Sequence, residues 1–159
     1  SKYFNMTGWR LGWMVVPEAL VPVVERLAQN LFICASTVSQ HAALACFEPD
    51  SIAEYERRRA EFKARRDYFI PELQRLGLSV PVLPDGAFYA WADCRSACTK
   101  LGVEGSWDFA FELMRRAHLA VTPGRDFGSF EPQRFVRFST ANSMAQLQEA
   151  AKRLQRLLG

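Results

Sequence analysis

Residues 1–13 read SKYFNMTGWRLGW, with a lysine at position 2, an arginine at position 10, and Gly8 and Gly12 flanking the arginine. A lysine amine forms a Schiff base with an aldehyde once its pKa is lowered enough to free the amine. An arginine grips a phosphate with two parallel hydrogen bonds. A small molecule with an aldehyde at one end and a phosphate at the other needs both groups. The glycines would let the backbone turn and approach it closely. Spacing alone favours the plainer reading, a frayed terminal lysine and a surface arginine. The choice therefore falls to the rest of the chain.

Working outward, WRLGWMVV over 9–16 is apolar and β-prone, and reads as a buried strand that Pro17 stops. Apolar residues at helical spacing then predict helices over 18–30 and 36–47, the second with Val38, Ala42, Ala45 and Cys46 inward. Ser51 and Glu54 form an S-x-x-E capping box at the head of a long helix. Its stripe is Ile52, Tyr55, Phe62, Phe69, Leu73 and Leu76, with a kink expected at Pro71 and a stop at Gly77. LSVPVLP and GAFYAWADC read as two strands about a Pro84-Asp85-Gly86 turn. A helix over 106–118 follows, with Trp107, Ala110, Met114 and Ala117 on one face. LAVTPG and FVRFSTA are further strands, and a second capping box, Ser143 and Gln146, opens a last helix.

Strands interleaved with helices mean a two-layer α/β or α+β arrangement. The first strand stands some sixty helical residues from the others. That separation predicts a remnant of one domain over residues 1–50, then a bridging helix and a small α/β domain over 51–159. The 159 residues are 49% apolar with a net charge of +3, enough for a core and too mild for a nucleic-acid footprint. Arg57-Arg58-Arg59 and Arg65-Arg66 are diluted by acidic neighbours and read as a solvated helix face. Cys34 and Cys46 sit among apolar residues and read as core. Cys94 and Cys98 form a CxxxC with no paired CxxC and no nearby His, a poor metal set, so metal none is expected. Reduced thiols, no membrane partner and a cytoplasmic location complete the expectation.

The opening stretch resembles the lysine segment of fold-type I pyridoxal-phosphate-dependent aminotransferases, class I/II. Their pattern S-K-x-x-x-x-x-G-x-R-x-G is filled by Ser1, Lys2, Gly8, Arg10 and Gly12. Three more segments agree in the family's order. TVSQHAAL resembles the segment near the family's subunit interface. PDGAFYAW resembles the turn and strand that open its small domain. TPGRDFG with RFVRFSTA resembles its P-G-x-x-F-G loop and R-x-S strand. Together they cover essentially the whole chain.

The resemblance implies the C-terminal part of a transferase fold: a remnant of the large cofactor domain and a small domain with a mostly antiparallel sheet. It implies pyridoxal 5'-phosphate as cofactor, an amino acid and a 2-oxo acid as substrates, and a homodimer. Lys2 would hold the cofactor aldehyde and shuttle a proton at the substrate Cα. Arg10, with Ser1, would bind the cofactor, Arg10 at its phosphate. Arg137 would bind the substrate α-carboxylate, the R-F-S match favouring it over Arg134. Strand alternation groups Phe135, Arg137 and Ser139 on one face but does not show whether that face lines a cleft. The N-terminal half of the family fold would supply the stacking aromatic, the ring-nitrogen aspartate and the phosphate loop. The isolated chain is therefore expected to be inactive. Two alternatives stay open: a β-lyase on the same scaffold, and a non-catalytic sensor domain of a transcription regulator.

Overall fold

Proline and glycine set several of the element boundaries. In the computed structural model, which describes residues 1–159, the chain forms two compact units, Ser1–Arg59 and Ala60–Gly159.

In the first unit a single 3-10 turn, Thr7–Trp9, is followed by irregular chain to Pro17. The strand expected over 9–16 does not form. A strand exists only against a hydrogen-bonded neighbour, and the chain's three strands all lie between residues 89 and 139. Trp13, Met14 and Val15 are accordingly exposed. Helix α1 spans Val21–Leu31, and α2 spans Thr37–Leu44. On α2 the buried residues are Ser39 and Ala43, with Cys46 in the turn beyond; Val38 points outward. Cys34 is exposed rather than core.

Helix α3, Pro49–Arg75, begins two residues before the expected Ser51 cap, because proline suits a first helical position. Glu54 does not cap it. Its carboxylate instead accepts from Arg57 Nε and Arg58 Nε, each at 2.7 Å. The helix continues through Pro71 to Arg75. Gly77, at φ +83°, then ends it: its N–H bonds Gln74 O at 3.0 Å and the Leu78 N–H bonds Leu73 O at 3.0 Å. This is the Schellman pattern, and Leu73 and Leu78 are both fully buried there.

The second unit holds β1 (Tyr89–Asp93), α4 (Arg95–Leu101), α5 (Ser106–Glu112), β2 (Thr122–Pro123), β3 (Phe135–Ser139) and α6 (Met144–Leu158). The sheet is antiparallel in the order β1-β3-β2. The strand expected over 78–84 shrinks to one bridge, Ser79 to Asp93, since Pro81 and Pro84 donate no ladder bond. Helix α4 is an element the sequence pattern did not signal. α5 runs on as a π-turn, Leu113–Ala117. Phe109, Ala110, Leu113 and Ala117 are buried, while Met114 is exposed. Ser143 caps α6 as expected, its Oγ accepting from the Gln146 N–H at 3.3 Å.

Ala90, Ala92, Val136 and Phe138 turn one sheet face onto a core with Phe69, Leu73, Phe109, Leu113, Leu147 and Leu154. Cys94 and Cys98 lie in the same core, their sulfurs 3.7 Å apart. The opposite face carries Tyr89, Trp91, Phe135 and Arg137.

Candidate functional site

The sequence-predicted site residues fall in both units, three in the first and one in the second. In the first, Ser1, Lys2 and Arg10 are exposed on a segment whose alternate side chains anchor it. Met6 is buried against Cys46, with Sγ and Sδ 3.1 Å apart. Phe4 packs on Tyr55, Trp13 and Phe47. Tyr3 donates its hydroxyl to Glu56 at 2.7 Å, which raises the tyrosine's pKa, and Ser39 Oγ donates to Trp9 O at 2.7 Å. These contacts seat the turn that carries Arg10, which takes a left-handed backbone, φ 51° and ψ 43°. Arg10 Nη1 donates to Thr7 O at 2.8 Å, one of the five donors on its guanidinium. A Cβ added at Gly8 or Gly12 would meet nothing within 4 Å, so neither glycine is forced by crowding inside this unit.

In the second unit Arg137 stands on the central strand β3, opposite Trp91 of β1 and Thr122 of β2. Its guanidinium carbon lies 4.1 Å from the centre of the Tyr89 ring and 4.5 Å from that of Phe127. Its one hydrogen bond is a long one, Nη2 to Thr122 Oγ1 at 3.4 Å. No carboxylate of the chain pairs with it. It is half-buried, a charge held partly out of water without a counter-ion.

Arg134, three residues earlier and just before β3, is also half-buried and lies 4.8 Å from the centre of the Phe135 ring, but it differs in having acid partners. Its Nε donates to Asp93 Oδ2 at 2.8 Å and its Nη1 to Glu131 at 2.7 Å. Asp93 also accepts from the Arg95 side chain, at 2.8 Å from Nη2, and from the Arg95 N–H at 3.0 Å. Burial works to raise the Asp93 carboxyl, but the hydrogen bonds from Arg95 and Arg134 outweigh it and hold the group below its ordinary value. Arg134 is thus paired with two acids, whereas no acid of the chain pairs with Arg137.

Sequence reasoning placed Tyr89 in a strand and Phe127 in the TPGRDFG loop, and gave neither a role at Arg137. The period-2 pattern could have placed Tyr89 on the Arg137 face. Phe127 reaches it from the 3-10 turn Gly124–Phe127, a contact no periodicity encodes.

The chain matches the family model for aminotransferase class I and II over residues 1–154, and it belongs to that family. It is 36% identical over 154 residues to a valine–pyruvate aminotransferase of Mycobacterium tuberculosis, covering 97% of this chain and 38% of that protein. It is 34% identical over 158 residues to a (5-formylfuran-3-yl)methyl phosphate transaminase of Methanocaldococcus jannaschii, covering 99% and 40%. Among solved structures it superposes on an aminotransferase from Mycobacterium tuberculosis with a TM-score of 0.88 at 35% identity, covering 98% of this chain and 39% of the other. The chain thus spans about two fifths of the length of these relatives, and its fold is a part of the aminotransferase fold.

Proposed function

We propose that this chain supplies the cofactor lysine and the substrate-carboxylate arginine of a pyridoxal-phosphate-dependent aminotransferase. The reaction would move an amino group between an α-amino acid and a 2-oxo acid. The observation that carries the reading is Arg137: a half-buried guanidinium, faced by two rings, with no acidic partner. A carboxylate is the natural complement of such a group, and both substrates of a transamination bring one.

The donor set of the first unit fits the cofactor at both its ends. Lys2 offers an exposed primary amine for an aldehyde, and Arg10 offers guanidinium donors for a phosphate. When bound, the cofactor supplies the electron sink for negative charge at the substrate Cα. Lys2 Nζ would take the Cα proton and return it elsewhere. Arg10 would fix the phosphate end, with Ser1 beside it. Arg137 would orient the substrate by its carboxylate. Because the chain spans about two fifths of its relatives, the isolated 159 residues are read as lacking turnover, and the complete gene product as a homodimer.

The test is the Arg137→Ala variant of the complete gene product. Its kcat/KM for amino acid and for 2-oxo acid should both fall by about 100-fold, the scale of a lost charge-assisted pair. Unchanged kinetics would refute the assignment. Product analysis distinguishes the reactions: a new amino acid supports transamination, whereas pyruvate and ammonia would indicate β-elimination, and no product at all a sensor.

A further inference from the structure

We infer that Tyr89 and Phe127 are positioning residues for Arg137: their two rings hold its guanidinium so that its N–H edge faces an incoming carboxylate. This rests on the carboxylate role of Arg137 proposed above and goes beyond it to the groups that set its geometry.

A long arginine side chain has many rotamers, and ordering it costs free energy that a binding site must recover. Arginines usually meet this cost with acid partners, as Arg134 does. Arg137 has none and would lose affinity for substrate if it had one. Rings can order the cation without competing for its hydrogen bonds, because they attract it through their faces while the N–H donors lie in the guanidinium plane. Tyr89 and Phe127 stand at 4.1 and 4.5 Å, inside the range where that attraction operates.

Both rings are themselves placed by the fold. Tyr89 sits on β1 opposite Ser139, on the Arg137 face of the sheet. Phe127 meets Trp91 edge to face at 5.4 Å, and Trp91 stacks on Phe135 at 5.5 Å. The turn that presents Phe127 starts at Gly124, where a Cβ would come within 2.5 Å of Pro132 O and 2.8 Å of Phe135 O. The backbone of that loop is therefore pressed against the start of β3, and Phe127 inherits its position from the contact. Thr122, across the sheet, adds the long hydrogen bond on the remaining side.

The experiment uses the complete gene product with Tyr89→Leu, Phe127→Leu and the double variant, and Tyr89→Phe as the ring-retaining variant. The expected result is a rise in KM for both substrates of about 3- to 30-fold per lost ring, with kcat changed less than about twofold. The inhibition constant of a simple aliphatic monocarboxylate should rise in parallel, and Tyr89→Phe should restore wild-type values. Circular dichroism and thermal unfolding establish that the variants fold; if the leucine variants do not, Phe127→Tyr and Tyr89→Phe must retain wild-type KM. If Arg137→Ala raises KM and the ring variants do not, the positioning role is refuted while the carboxylate role stands. If Arg137→Ala itself leaves KM unchanged, the carboxylate role fails first.

Discussion

Arg134 Nε lies 2.8 Å from Asp93 Oδ2, and this pairing sets Arg134, just before β3, apart from the acid-free Arg137 on the strand. Arg134 and Arg95 close around Asp93 at the end of β1, a satisfied cluster of structural character. Arg137, on β3, has no acid partner in the chain, and in the function proposed above it meets the substrate carboxylate. Arg134→Ala should therefore lower stability and leave the substrate KM unchanged. Arg137→Ala should do the reverse. Denaturant titration beside steady-state kinetics measures both, and a KM effect from Arg134 would erase the distinction.

Asp93 predicts an acid dependence of stability. Its folded-state carboxyl lies below the ordinary value of 3.8, so the cluster contributes fully above about pH 4 and is lost as pH falls through the lower folded value. Asp93→Asn removes the contribution at neutral pH. The stability gap between the two proteins should be widest at pH 7 and shrink below pH 4. Urea midpoints at pH 7, 4 and 3 give the gap directly; a gap that stays constant would contradict the account.

Gly124→Ala should destabilise the second unit by about 1–3 kcal/mol, because the new methyl meets two backbone carbonyl oxygens rather than a movable side chain. By contrast, Gly86→Ala, where a Cβ meets nothing within 4 Å, should be close to neutral. Thermal unfolding of both variants checks the pair, and equal effects would argue against the close approach at Gly124.

The 159-residue chain alone should show no transamination with added pyridoxal phosphate and several amino donors. Robust turnover would mean that the residues present suffice, and the reading of the chain as a part of the machinery would fall.

How much of this was legible in the sequence depends on how local each signal is. The Ser143 cap and the Gly77 stop are written within a turn or two of chain, and each formed as read. The strand expected at 9–16 failed because a strand needs a partner that the local pattern cannot show. Helix α4 was missed because RSACTKL buries only Ala97 and Cys98 and offers little periodicity. The face of α5 was misread because two apolar stripes compete there, and Phe109 and Leu113 are buried in place of Trp107 and Met114. At the site, ordered motifs pointed to Lys2, Arg10 and Arg137. The choice between Arg137 and Arg134 became physical only with the Asp93 pairing in view, and the role of Phe127 only with the loop in place.

The central claim is that Lys2 carries the cofactor, and one measurement reaches it most directly. The complete gene product is loaded with pyridoxal phosphate, reduced with borohydride, digested and mapped by mass spectrometry. The account predicts a phosphopyridoxyl group on the peptide containing Lys2 and its loss in Lys2→Ala. A label on another lysine, or none at any lysine of a folded protein, would contradict it.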